Sequence, residues 1–148
     1  MARRFYHKCV VIDNSVLIKG FILEEYSKIV YELIDMNLKR EMTLLAPSLL
    51  LYEFFNIISR AYESFDGVGY AYNKFKTLNL SLVDPDDTVL MEASDRMFKN
   101  RGISYYDSVY HSLAKNMDAT FLTADKKYYD EMKKEGNIEY LGNLKRHV

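Results

Sequence analysis

Between Lys8 and Ser15 the chain reads Lys-Cys-Val-Val-Ile-Asp-Asn-Ser, an apolar run closed by a carboxylate and two small polar side chains. A run this short, rich in Val and Ile, predicts a strand buried on both faces. Such strands belong to parallel sheets covered by helices on either side. Asp13 would then stand at the strand's carboxyl end, where open α/β sheets keep their ligands.

The remainder of the chain alternates short β-like runs with longer helical ones, which predicts an α/β fold with a mostly parallel sheet. The strands expected are Lys8–Asp13, Thr43–Ala46 closed by Pro47, Leu80–Val83, Ala119–Thr123 and Ile138–Leu141. A helical region from Ser15, broken near Gly20, continues over Glu24–Lys39, where Tyr26, Ile29, Val30, Leu33 and Ile34 recur at helical spacing. Ser48 is placed to cap a helix through Phe65, with Leu50, Phe54, Ile57, Ile58 and Ala61 as its buried stripe. Asp66-Gly67-Val68-Gly69 reads as a break before a helix over Val68–Leu78. Further helices are expected from Asp84-Pro85 to Asn100, from Ser104 to Asn116, and from Lys126 to Lys134, the last stopped by Gly136. No repeat or linker interrupts residues 1–148, so a single domain is expected.

Composition narrows the function classes. A chain of 148 residues buries roughly 70% of its unfolded surface and needs no disulfide or metal merely to fold. The lone Cys9 offers neither a disulfide framework nor a thiolate zinc site, which fits a reducing, cytoplasmic setting. No signal peptide or membrane span is expected. The net charge of −1 gives no global footprint for nucleic acid, although Arg3, Arg4 and Lys8 open the chain without an acid among them. The pairs Lys126–Lys127, Lys133–Lys134 and Lys145–Arg146 read as a solvated helix face.

Four acids can be argued to one rim. Asp13 ends the first strand, and Asp125 follows the fourth by two residues. Glu53 lies just over one turn into the helix after the second strand, and Asp107 begins the helix that feeds the fourth. In a parallel sheet all four positions fall at the carboxyl edge. Each has a simpler use. Asp13 and Asp125 can cap the helices that follow them, and Ser104 to Asp107 has the spacing of a capping box. Glu53, flanking an apolar stripe, needs a partner such as a lysine or Arg60. Joint placement favours a shared site, because clustered carboxylates raise one another's pKa unless a cation compensates. An all-oxygen set without Cys or paired His suits Mg²⁺ or Mn²⁺ and metal-assisted phosphodiester hydrolysis. No Ser/His/Asp triad, phosphate-binding Gly loop or dinucleotide fingerprint is legible, and His111 reads as structural.

At these residues the sequence resembles the PIN-domain family, and within it the VapC-type toxin ribonucleases. Val11-Ile12-Asp13-Asn14-Ser15 is similar to the family's opening acid-x-Ser/Thr motif. Glu53 in Leu51–Asn56 resembles its second acid, and Asp107 in Tyr106–Tyr110 its third. Leu122-Thr123-Ala124-Asp125 resembles the fourth, T-x-D element. The resemblance implies a three-layer α/β/α sandwich with a central sheet of about five strands. It implies that Asp13, Glu53, Asp107 and Asp125 hold Mg²⁺ or Mn²⁺, Asp13 and Asp107 centrally, with Ser15 and Thr123 orienting carboxylates or water. It further implies an RNA substrate cut to a 5′-phosphate and a 3′-hydroxyl, a homodimer, and a cognate antitoxin. With no overall positive charge, affinity for RNA would rest on local basic patches and the metal.

Other readings stay open on the sequence. A housekeeping PIN nuclease of RNA maturation carries the same residues, and a PIN-like module could bind RNA or protein without catalysis. A phosphatase of the haloacid-dehalogenase type is disfavoured because Ser15 stands where a second Asp is required. A receiver domain is disfavoured because Asn14 is not acidic.

Overall fold

A computed structural model of the protein describes residues 9–147, apart from the side chains of 145–147. The basic residues Arg3, Arg4 and Lys8 and the side chains of Lys145 and Arg146 therefore lie outside the described residues. Five strands form a sheet: β1 (Cys9–Ile12), β2 (Thr43–Pro47), β3 (Ser81–Val83), β4 (Thr120–Thr123) and β5 (Ile138–Tyr140). Their order is β3-β2-β1-β4-β5, and every neighbouring pair is parallel. Val11 pairs with Leu45 on one side and Phe121 on the other. The expected burial on both faces holds, since Val10, Val11 and Ile12 are at most 2% exposed.

Helices α1 (Asn14–Leu17), α2 (Ser27–Leu38), α3 (Leu49–Ala61) and α4 (Phe65–Thr77) connect β1 to β2 and β2 to β3. Helices α5 (Asp87–Lys99) and α6 (Tyr105–Asn116) carry the chain back across to β4, and α7 (Lys126–Met132) leads to β5. Growth of the sheet thus reverses direction between β1 and β4. Right-handed crossovers put α1–α4 on one face and α5–α7 on the other, giving the expected three layers. Asn37 ties the end of α2 to both neighbours: its Nδ2 donates to Leu78 O at 2.9 Å, and its Oδ1 accepts Leu44 N–H at 2.9 Å.

Several boundaries differ from expectation. The first helical region breaks at Gly20 as expected, but α2 resumes only at Ser27, after Tyr26 adopts a left-handed conformation (φ 72°). Ser48 does not cap α3 with its side chain; it is already helical, and its N–H donates to Val83 O at 2.8 Å. The helix it precedes ends at Ala61, not Phe65. Asp66–Gly69 is not a break but the first turns of α4, whose cap is Ser64, accepting Gly67 N–H at 3.1 Å. Burial of Ala71 and Phe75 outweighs a helix cost of about 1 kcal/mol for each glycine. Helix α5 starts at Asp87 rather than at Pro85, because Asp86 accepts Val89 N–H at 3.0 Å and is the cap. Ser104 caps α6 as expected, and Gly136, with φ 75°, follows the 3-10 turn after α7.

Candidate active site

The reversal between β1 and β4 opens a crevice at the carboxyl edge of the sheet, the usual ligand position in such folds. Asp13 leaves β1 there as the N-cap of α1, its Oδ1 accepting Val16 N–H at 3.2 Å. Capping uses only part of the carboxylate. Ser15 also donates its hydroxyl to Oδ1, and Thr123 Oγ1, at the end of β4, donates to Oδ2 at 2.8 Å. Asp125 caps α7 by accepting Tyr128 N–H at 3.1 Å. Its own N–H donates to Thr123 Oγ1 at 3.0 Å, so a single hydroxyl links the two acids.

Glu53 reaches the same crevice from the middle of α3. Its partner is neither a lysine nor Arg60, which turns instead to Asn56 Oδ1 at 3.2 Å. Tyr110 donates its hydroxyl to Glu53 Oε1 at 2.6 Å, joining α3 to α6 across 57 positions. Asp107 lies one turn before Tyr110 on α6. It takes no part in a capping box: Ser104 accepts from Tyr106 N–H, and among the described residues nothing donates to the Asp107 carboxylate.

Asp13, Glu53, Asp107 and Asp125 line one cleft of about 280 Å³. Four elements therefore deliver carboxylates to one rim, as the sequence predicted. They surround a common space rather than a common point. Among the described residues no three His, Cys, Asp or Glu stand close enough to hold one ion. Asp13 is held by Ser15 and Thr123, and Glu53 by Tyr110.

The electrostatics bear the mark of crowding. Burial, and then the charges of Asp13, Asp125 and Glu53, push Asp107 up to about 7. Burial pushes Asp13 up to about 6 against its three hydrogen bonds, with the charge of Glu53 adding to the rise. Glu53 is raised by burial and lowered less by Tyr110. Tyr110 is itself raised, by burial first and then by its bond to Glu53, so it stays a donor.

Two residues of the cleft carried no assigned role in the sequence. Tyr110 was findable, since it lies three positions after Asp107 and so on the same helical face. Asn14 donates to Leu50 O at 3.0 Å while its Oδ1 is buried without a partner among the described residues. A buried acceptor of this kind calls for a donor. His111 is fully buried away from the cleft. Gly136 O accepts from Nε2 at 2.8 Å, so the neutral ring takes the Tyr128 hydroxyl at Nδ1, 2.9 Å away. Burial pushes this imidazole down to about 4.

Fold and site define an α/β protein with a carboxylate-lined cleft at the point where its parallel sheet reverses. The chain belongs to the PIN domain family, whose pattern matches residues 10–134. No curated protein matches it by sequence. Among solved structures it is similar to VapBC2 from Rickettsia felis bound to a DNA fragment from their promoter, at 15% identity and a TM-score of 0.68, covering 89% of this chain and 98% of that one. It is similar to PAE2754 from Pyrobaculum aerophilum, at 17% identity and a TM-score of 0.64, covering 91% and 92%. It is also similar to the sarcin-ricin loop cleaving toxin VapC20 from Mycobacterium tuberculosis, at 9% identity and a TM-score of 0.63, covering 83% and 95%. At these identities the likeness is one of fold. Among the described residues no helix is long and apolar enough to cross a membrane.

Proposed function

We propose that this chain is a ribonuclease that hydrolyses RNA phosphodiester bonds with Mg²⁺ or Mn²⁺, and that it is the toxin of a toxin–antitoxin pair. The observation that carries the reading is the meeting of Asp13, Glu53, Asp107 and Asp125 in one cleft. Membership of the PIN domain family and a fold shared with VapC-type proteins support it.

The donor set fits a hard divalent cation, being all oxygen and without Cys or His. Two of its acids are held toward the neutral form by burial and mutual repulsion, the condition a cation relieves. Asp13 and Asp107 would be the central ligands, with Glu53 and Asp125 flanking them. Such an ion supplies charge neutralisation at the phosphoryl group and a more acidic water. The protein's own part is orientation. Ser15 and Thr123 fix the Asp13 carboxylate, and Tyr110 fixes Glu53. Among the described residues nothing donates to the Asp107 carboxylate, so no hydrogen bond fixes its orientation. Exposed Tyr52, Phe65 and Tyr70 on α3 and α4 offer apolar surface to a protein partner, an antitoxin or a second copy of this chain. A cytoplasmic site of action is part of the same reading.

One observation favours a second reading, a PIN-like module that binds RNA without cutting it: among the described residues no three acids stand at ligand distance. Incubating a labelled total-RNA pool with purified protein separates the two. It is run with Mn²⁺, with Mg²⁺, with chelator, and with Asp107→Asn as the contamination control. Metal-dependent cleavage that disappears in the variant is expected. Cleavage that persists in chelator or in the variant defeats the proposal, and binding without cleavage selects the second reading.

A further inference from the structure

The acid cleft continues past Asp107 and Asp125. These two carboxylates also line a second hollow, of about 170 Å³. Its far wall is the turn between α5 and α6 at Gly102, Ile103 and Ser104, and its floor is α7, with Lys127, Tyr128 and Glu131. Among the described residues lining the two hollows, Lys127 is the only cation.

The other lysines of this region are engaged. Lys126 is held by Asp130 at 2.6 Å, Lys133 lies 4.0 Å from the same carboxylate, and Lys134 donates to Asn100 Oδ1 at 3.2 Å. Lys127 is exposed and has no ion pair or hydrogen bond among the described residues. Glu131, one turn further on, could have paired with it but turns toward Gly102, its Oε2 3.8 Å from where a β-carbon there would stand. Ser104 accepts Tyr106 N–H at 3.2 Å, which leaves its hydroxyl proton for another acceptor.

Three carboxylates, Asp107, Asp125 and Glu131, share this lining, so an anion finds its favourable contacts there at the unpaired ammonium and the free hydroxyl proton alone. A polyanion crossing that rim gains most from a cation placed one step beyond it. We infer that the second hollow is a backbone subsite, in which Lys127 and Ser104 take the phosphate of the nucleotide flanking the one at the acids. The inference rests on the ribonuclease reading and names the path of the single strand: over Asp107 and Asp125, then along the first turn of α7. Lys127 serves as a point charge that positions the strand without reading its sequence.

The test compares Lys127→Ala with Lys126→Ala, two neighbouring substitutions of equal charge. Binding of a labelled single-stranded RNA oligonucleotide of mixed sequence is followed by anisotropy, with chelator present, across a salt series. Lys127→Ala should weaken binding about 5- to 10-fold and flatten the salt slope by about 0.7, while Lys126→Ala stays within about 2-fold. In Mn²⁺, Lys127→Ala should raise KM by a similar factor and leave kcat unchanged. Equal losses in the two variants, no loss in either, or no RNA binding by the wild-type protein overturns the subsite. Binding that depends on Lys127 in a protein that never cleaves supports the subsite and overturns the hydrolytic reading. Cleavage with KM unmoved by Lys127→Ala does the reverse.

Discussion

The hydroxyl of Thr123 donates to Asp13 Oδ2 at 2.8 Å and accepts the N–H of Asp125 at 3.0 Å, fastening the ends of β1 and β4 to each other. Thr123→Val keeps the shape of the side chain and removes both bonds. Asp13 then loses a donor that favours its ionised form. The expected result is a 10- to 100-fold loss of cleavage, typical for a residue that orients a ligand, with recovery in Thr123→Ser. Steady-state rates on one RNA substrate check it.

Asp107→Asn should remove cleavage and yet stabilise the metal-free protein at neutral pH. In the fold this carboxyl is pushed up to about 7 from the ordinary 3.8. Between those values the folded chain keeps a proton that the unfolded chain has released. Stability from this group is therefore full below pH 4 and is lost as pH rises through 7. Relative to wild type, the variant should gain about 1–3 kcal/mol near pH 8 and nothing near pH 4. Urea unfolding with chelator at both pH values measures this; a gain of equal size at the two would show that charge is not its source.

Divalent cations should raise the melting temperature by mass action. An ion at a hundred times its Kd adds about 2.7 kcal/mol, or about 5–10 °C for a chain of this size. Chelator should reverse the shift, and Asp13→Asn should abolish it. A thermal scan in millimolar Mn²⁺ that leaves the midpoint of the wild-type protein unmoved would exclude a native-state site.

Arg96 is the buried cation on the far side of α6. Its Nε meets both oxygens of Glu135, at 3.1 and 3.2 Å, and its Nη1 donates to Ser108 O, Ser108 Oγ and Ser112 Oγ. Arg96→Ala strands these acceptors and should cost about 3 kcal/mol, with Glu135 still served by Lys115. Arg96→Met, which fills the space, should cost less. The ranking is read from chemical denaturation midpoints. A smaller loss for alanine would mean that the cavity and the orphaned hydroxyls carry little weight.

What was legible in the chain is what depends on local pattern. The apolar runs at Val10–Ile12 and Phe121–Leu122 announce strands buried on both faces. Once the strands are parallel, Asp13, Glu53, Asp107 and Asp125 must rise at one edge. What was hidden depends on tertiary choice. Nothing near Glu53 in sequence says that it will take a tyrosine 57 positions away rather than Arg60, because the pairing is decided by how α3 packs across from α6. The glycines at 67 and 69 read as a break because helix propensity is a local quantity, whereas the burial of Ala71 and Phe75 that overrides it is not. Lys126 and Lys127 are indistinguishable as letters. Only the rotation of α7 sends one to Asp130 and the other into the hollow beside the acids.

The central strand, β1, is made before β4, its neighbour across the cleft. Asp13 leaves the ribosome ahead of β4, which begins at residue 120, and Asp125 follows that strand. Chains fold as they emerge, amino end first, so the early segment can pair β1 with β2 and bury part of its apolar surface. It cannot yet assemble four acids, because two of them are still unmade or hidden. If this chain cuts RNA, the order of its strands withholds the complete four-acid cleft until residue 125 is free.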